Sequence, residues 1–376
     1  MLKGEAMTLI LSNDDVERLL TMPDCIEALE LAYLEMAEGR GISRQRSDCI
    51  TPTTYSEDAI YGLKSMDGVV PKLGVGAIRI NSDIVTNPLI GNTHRRVKIP
   101  AAPNDRYVGL VLLFSTHNGE PLAIFPDGVL QRMRVGATNG LGIKYMAREN
   151  ARTIGILGSG WQAETQLTAA CAVRQIESVK CFSPNQENRE AFCARMTALL
   201  KIPVTPVTQA EEAVGGVDIV MCGSNSLDAI YFHKWIEPGM HLSSIKKPEI
   251  EPDAIRAAHK VVVHTHDTAP ILVIAKGANF KEQTKDPGWN AANKIDFKKY
   301  PTLPQLIAGH VPGRENDQEV TCFLNNLGLG YQFAAAGSVI YKRAKEQNVG
   351  IGLPTDWFTE KLCTPNQITN RGGYGP

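Results

Sequence analysis

The stretch Thr153–Gln166, TIGILGSGWQAETQ, limits what this chain can fold into more than any other. A short apolar run of strand type leads into Gly158-Ser159-Gly160, and a helical pattern begins near Trp161. The spacing is Gly-x-Gly-x-x-Ala between a strand and a helix, the arrangement that closes over a pyrophosphate. The first glycine makes the tight turn. The second lets backbone N–H groups approach phosphate at a helix N-terminus, and Ala163 is small enough for helix and strand to pack closely.

Such a unit needs neighbours, and the sequence supplies them. SVKCFS, PVTPV, VDIVMCG, MHLSSI and KVVVH read as strands, and WQAETQLTAACAVR and NQENREAFCARMTALL read as helices. This is the rhythm of an α/β, Rossmann-type doubly wound parallel sheet. The region in front reads differently. Residues 14–38 carry apolar residues at helical spacing behind a cap at Ser12-Asn13-Asp14. AIYGLKSM, LGVGAIRIN, YVGLVLLFS and PLAIFP read as strands, the last two joined by an Asn118-Gly119 turn. The polar stretch Asn87–Arg106 reads as a long loop, and 129–148 as a helix leading into the glycine motif. From about Thr321 the pattern returns to helix, and QITNRGGYGP reads as a tail.

Composition excludes other classes. At 376 residues the chain is too long for one core. A net charge of −1 gives no field to draw in nucleic acid or an acidic membrane surface. The longest apolar runs, such as Val108–Phe114, are strand-length, and MLKGEAMTLILS lacks the pattern of a signal peptide. Eight cysteines are scattered without a CxxC pair, which speaks against a zinc site or disulfide framework and for free thiols in a reducing cytoplasm.

The second strand of the nucleotide unit ends at Cys181-Phe182-Ser183-Pro184-Asn185. An NAD-selective site places a carboxylate there for the ribose 2′-hydroxyl. Ser183 would not repel a 2′-phosphate, so the reading leans to NADP over NAD, although no arginine directly follows. The expected cofactor-binding set is Gly158, Ser159, Gly160, Trp161, Gln162, Ser183, Asn185 and Ser224, with Arg106 as a further reader of the ribose.

At this point the chain resembles the ornithine cyclodeaminase/mu-crystallin family, from about residue 10 to 350. Gly128-(x)5-Arg134-Val135-Gly136-Ala137 is similar to the family's "dG…RT-A-A" element, and Leu157–Ala163 to its "GaGxQA" pattern. Asn118–Ala123 and Gly216–Val220 extend the ordered set. The resemblance implies a substrate-binding and dimerising domain, 1–148 plus 321–376, with the dinucleotide domain, 149–320, inserted into it. The resemblance implies a homodimer, and the strands between Ala59 and Phe125, which carry more apolar edge than a domain of about 150 residues can cover alone, point the same way.

The resemblance also implies an arginine clamp on a substrate carboxylate, at Arg46 and Arg134. A guanidinium fork suits a carboxylate through two charge-assisted hydrogen bonds. The family's strand lysine is replaced by Arg79, which orients charge rather than moving a proton. Lys64, in YGLKSM, could supply an ammonium instead. The loop where cyclodeaminases carry a catalytic aspartate reads Ile245-Lys246-Lys247-Pro248-Glu249, with Lys246 near the missing carboxylate. These departures favour an NAD(P)H-dependent imine or ketimine reductase, or amino-acid dehydrogenase, over an ornithine cyclodeaminase-type lyase. The extra cations Arg79, Arg95, Arg96 and Lys246 suit a substrate with more than one carboxylate. A non-catalytic, NADPH-dependent binding protein of the mu-crystallin kind is the reading from another class.

Overall fold

The computed structural model describes residues 6–86, 89–90, 93–94, 97–226, 228–246, 249–267, 270–278 and 295–361. Two open sheets carry the fold, and the helix Gly128–Met146 runs between them.

The first sheet has ten strands. Its main path runs Ile271–Ile274, Ser47–Pro52, Ile60–Val70, Val75–Thr86, Val108–Ser115, Pro121–Pro126, Met7–Ile10 and Ile351–Pro354. Ile60–Val70 and Val75–Thr86 form its long central hairpin, and both bury every second residue. That period-2 pattern marks a sheet with one face covered. The cover is helical: Met22–Ala37, Gly128–Met146 and Tyr331–Gln347 pack over it around Leu29, Tyr33, Leu113, Leu130 and Phe333. The expected Asn118-Gly119 hairpin joins Val108–Ser115 to Pro121–Pro126.

The second sheet is parallel throughout, in the order Val204–Pro206, Ser178–Phe182, Thr153–Leu157, Ile219–Cys222, His241–Ser244, Thr321–Leu324, Lys260–Val263. The chain winds outward to one side of Thr153–Leu157 and then returns to the other. That reversal opens a crevice at the carboxyl ends of the strands, where doubly wound sheets bind ligands.

Three expectations change. Thr321–Leu324, read as the start of a helical piece, is an inner strand of the parallel sheet, and the helix begins only at Tyr331. All four of its residues are buried, so it shows no alternation that would separate strand from helix. Ile271–Ile274 leaves the nucleotide unit and adds a parallel edge strand to the first sheet. The helix expected over 14–38 is two helices, Asn13–Leu19 and Met22–Ala37. The first is closed by the Ser12–Asp15 capping box, and the second restarts at the Thr21 cap with Pro23 in its first turn.

The loop expected over Asn87–Arg106 contains Val97–Ile99, which pairs with Val75–Thr86. Arg95, Arg96, Lys247 and the tail after residue 361 lie outside the described residues. Among the described residues no helix is long and apolar enough to cross a membrane, and no cluster of metal-ligating side chains occurs.

Candidate active site

The glycine loop has the geometry its sequence requires. Gly158 has φ +133°, and a Cβ there would lie 2.2 Å from the Gly223 carbonyl oxygen, so only glycine fits. Gly160 is extended and begins the helix Trp161–Val173 without a side-chain cap. A Cβ on Gly160 would meet nothing within 4 Å, so the space beside the start of this helix is open. This is the cradle a pyrophosphate requires, and a dinucleotide fits it.

Other expected cofactor residues surround this loop. The Ser159 hydroxyl donates to Ser183 Oγ at 2.9 Å, joining the loop to the end of the second strand. Trp161 is 73% exposed, with the Arg132 guanidinium over its ring. Gln162 Oε1 is buried without a hydrogen-bond partner among the described residues. Asn185 caps the helix Gln186–Leu200 by accepting from the Asn188 N–H at 2.7 Å. Ser224 donates from both its N–H and its hydroxyl to Glu249 Oε1, at 2.6 and 3.0 Å. Arg106 lies in an exposed loop, bridged to Ala102, and no described hydrogen bond or ion pair links it to the glycine loop.

Two residues near this crevice escaped the sequence reading. Arg189 folds back from the first turn of Gln186–Leu200, donates to the Ser183 carbonyl at 2.5 Å and lies over the Phe182 ring. It has no carboxylate partner among the described residues. Glu249, in the loop that lacks the family's aspartate, is fully buried. Burial raises its pKa, and its carboxylate is occupied by the Ser224 groups and the Ile245 N–H. It fastens one strand-end loop to the next.

The second half of the site is a cavity of about 340 Å³ lined by Arg46, Lys64, Met66, Arg79, Asn81, Lys98, Gln131, Arg134, Leu327 and Gly328. Four of these, Arg46, Lys64, Arg79 and Arg134, are the substrate residues expected from sequence, and the fold brings them together. Strand register explains how. Asp48, Lys64 and Asn81 lie in one row across three strands, and Met66 pairs with Arg79 in the next. Lys64, Arg79, Asn81 and Asp83 point to the covered face of the sheet, where water is scarce.

Each cation that the sheet side brings to the cavity has a carboxylate. Arg46 grips Asp48 through Nε and Nη2 at 2.7 and 2.6 Å. Arg79 holds Asp127 at 2.6 Å. Lys64 is ion-paired to Asp83, and Lys98 reaches the other oxygen of Asp83 at 2.9 Å. Burial opposes ionisation of Asp83, but the two lysines outweigh it and hold the carboxyl below its usual range.

Arg134 differs. It projects from the helix Gly128–Met146, is 5% exposed, and has no ion pair among the described residues. Its Nε lacks a hydrogen-bond partner among the described residues. Burial, and next the nearby Arg79 guanidinium, push its pKa down to about 9, still charged at neutral pH. Its Nη1 donates to Gln332 Oε1 at 3.0 Å. The Gly328 backbone lies close opposite: a Cβ there would lie 2.2 Å from Nη1, so a side chain at that position would displace the guanidinium.

A fixed hydrogen-bond chain stands behind Arg134. His264 Nδ1 faces the Leu327 carbonyl, so that nitrogen carries the proton and Nε2 accepts from the Tyr33 hydroxyl at 2.7 Å. The Thr138 hydroxyl donates to the Arg134 carbonyl. Gln332 Nε2 then donates to both Tyr33 and Thr138, which leaves Oε1 toward the guanidinium. Lys246, also expected at the site, donates to the Ser226 carbonyl and is not among the residues lining the cavity.

Sequence reasoning missed Lys98, Gln131 and Gln332. Lys98 falls in the stretch read as a loop. A signal existed for Lys64: it shares strand parity with Ile60, Met66 and Val70, and a charge on a buried face marks a site.

The chain resembles known proteins along most of its length. The Delta(1)-pyrroline-2-carboxylate reductase of Bacillus cereus is 29% identical over 347 residues, covering 91% of this chain and 98% of its own. The structure of Thermococcus litoralis Delta(1)-pyrroline-2-carboxylate reductase, in complex with NADH and L-proline, matches with TM-score 0.72 and 25% identity over 92% of this chain and 100% of that one. An archaeal alanine dehydrogenase dimer with bound NAD matches with TM-score 0.73 and 25% identity over 92% of this chain and 99% of that one. The family model of the ornithine cyclodeaminase/mu-crystallin family matches residues 90–348, and the chain belongs to that family.

Proposed function

We propose that the protein is a nicotinamide-dependent oxidoreductase that reduces the C=N bond of a small α-imino acid, or oxidises the corresponding α-amino acid. The observation that carries this reading is Arg134: a buried guanidinium without a carboxylate among the described residues, on the helix Gly128–Met146, facing a cavity lined by other cations. A buried charge calls for a counter-ion, and a substrate carboxylate supplies one. The relatives named above act on, or hold, such acids.

Each residue has a role in this reading. Arg134 takes the carboxylate through its unpartnered edge. Arg46 and Arg79, fixed by Asp48 and Asp127, orient the acid and keep the cavity positive. Lys64 Nζ, held by Asp83, gives the proton to the imine nitrogen. The dinucleotide, when bound, supplies the hydride to the imine carbon. Arg79 remains a guanidinium throughout. Glu249 is the carboxylate of the loop where cyclodeaminases keep an aspartate. It is consumed internally, which weighs against ornithine cyclisation.

NADP is the preferred form in this reading. Ser183 offers no negative charge at the ribose position, and Arg189, which has no carboxylate partner among the described residues, places a guanidinium behind it. The pair form is a homodimer. Leu63, Val108 and Leu110 are exposed apolar side chains on the first sheet, and all of Ile271–Ile274 is exposed at its edge.

The test is direct. The protein is mixed with NADPH or NADH and Delta(1)-pyrroline-2-carboxylate, or a 2-oxo acid with ammonium, and the absorbance of the reduced nicotinamide is followed. Imine-dependent oxidation supports the reading. Tight NADPH binding without turnover of any imine makes it a binding protein.

A further inference from the structure

We infer that the imino acid carries a second carboxylate, held on the Lys98 side of the cavity. This deepens the reductase reading and rests on it. None of the ten lining residues is acidic, and five are cations. Behind them stand three carboxylates. Asp48 answers Arg46, Asp127 answers Arg79, and Asp83 answers Lys64. Two positive charges are left over among the described residues. Arg134 has no carboxylate, and Lys98 shares the Asp83 group that Lys64 already holds.

These two charges occupy different walls. Arg134 comes from the helix Gly128–Met146, whereas Lys98 comes from Val97–Ile99, at the rim of the sheet opposite Val85. Lys98 is 43% exposed along its side chain, so it borders the mouth while Arg134 lies deep. A monocarboxylic imino acid would neutralise only one of them. An α-imino dicarboxylate, formed from a 2-oxo dicarboxylate and ammonia, matches both: its α-carboxylate on Arg134 and its distal carboxylate on Lys98. The cavity is at the small end of ligand sites, which favours a short-chain dicarboxylate. Reduction balances as for any imine, with hydride to carbon, a proton to nitrogen and both carboxylates unchanged.

The experiment compares kcat/KM with NADPH for three imine sources: a 2-oxo dicarboxylate with ammonium, pyruvate with ammonium, and Delta(1)-pyrroline-2-carboxylate. The dicarboxylate is expected to lead by at least about tenfold, since a site built for a polar group discriminates against an analogue lacking it. In Lys98→Met the ratio of dicarboxylate to monocarboxylate kcat/KM should fall by about the same factor. Equal or better turnover of the monocarboxylates, or an unchanged ratio in Lys98→Met, overturns the inference while leaving the reductase reading in place. Absence of turnover with every imine overturns the reductase reading. Calorimetry on the nucleotide-loaded protein then decides the charge argument: succinate should bind more tightly than propionate, and equal affinity overturns it.

Discussion

Gln332 Oε1 accepts from the Arg134 guanidinium at 3.0 Å and from the Leu329 N–H at 2.9 Å. The amide cannot turn over, because its nitrogen donates to Tyr33 and Thr138, whose own protons point elsewhere. Gln332→Leu should therefore release the guanidinium, raise KM for the acid substrate by at least about tenfold and cost about 1–3 kcal/mol of stability. Gln332→Glu should raise KM further, since it gives Arg134 a carboxylate of its own. Steady-state kinetics on both variants provides the check, and an unchanged KM in Gln332→Glu would mean that Arg134 does not hold the acid.

Arg134→Met should lower kcat/KM by at least about tenfold, because a desolvated charge pair is worth roughly 2–5 kcal/mol. Affinity for NADPH should hardly change. The thermal midpoint should stay level or rise, since the substitution removes a buried charge that lacks a counter-ion among the described residues. A large fall in the midpoint would assign Arg134 to the fold instead.

Gly160→Asp should keep the fold and lose the nucleotide. An added Cβ meets nothing within 4 Å and the backbone there is extended, so the side chain is accommodated, with its charge in the phosphate cradle. Circular dichroism and nucleotide calorimetry separate the two effects. Retained affinity for both NAD and NADP would remove the phosphates from this loop.

Ser183→Asp should shift preference toward NAD, by repelling a 2′-phosphate and offering an acceptor to the 2′-hydroxyl. Arg189→Gln should weaken NADPH binding more than NADH binding. An equal effect on both cofactors would leave Arg189 as a tie on the Ser183 carbonyl only.

Stability should decline below about pH 6.5. Burial is the main cause that pushes His241 and His264 each down to about 3, so the fold holds both neutral. Their folded values lie below the unfolded one. Their contribution is therefore complete above about pH 6.5 and is lost as pH falls toward 3, by up to about 1.4 kcal/mol per pH unit for each histidine. Urea unfolding at several pH values measures the slope, and His241→Gln should flatten it. A slope unchanged in that variant would assign the loss to other groups.

The features carried by local spacing were legible in the sequence. Thr153–Gln166 announced its strand, turn and helix, and Asn118-Gly119 its hairpin, because those signals lie within a few residues. The cation set Arg46, Lys64, Arg79 and Arg134 was found through family motifs, and strand register then explained their meeting. Gln332 was not legible, since it acts from a helix far along the chain on a guanidinium that only tertiary packing brings near. Lys98 was hidden in a polar stretch without period. Thr321–Leu324 was hidden by its burial on both faces, which erases the alternation that identifies a strand.

The edge strand Ile351–Pro354 pairs with Met7–Ile10, which in turn pairs with Pro121–Pro126. The ribosome therefore delivers Pro121–Pro126 roughly 220 residues before Ile351–Pro354, a wait of about 10–50 s at ordinary elongation rates. For that interval the sheet lacks both its last strand and the helix Tyr331–Gln347 that covers Leu113 and Phe125. The nascent chain thus presents an uncovered greasy surface while the nucleotide unit is still being made. Truncation shortly before Tyr331 should yield chaperone-bound or insoluble protein even though nearly the whole parallel sheet has already been synthesised.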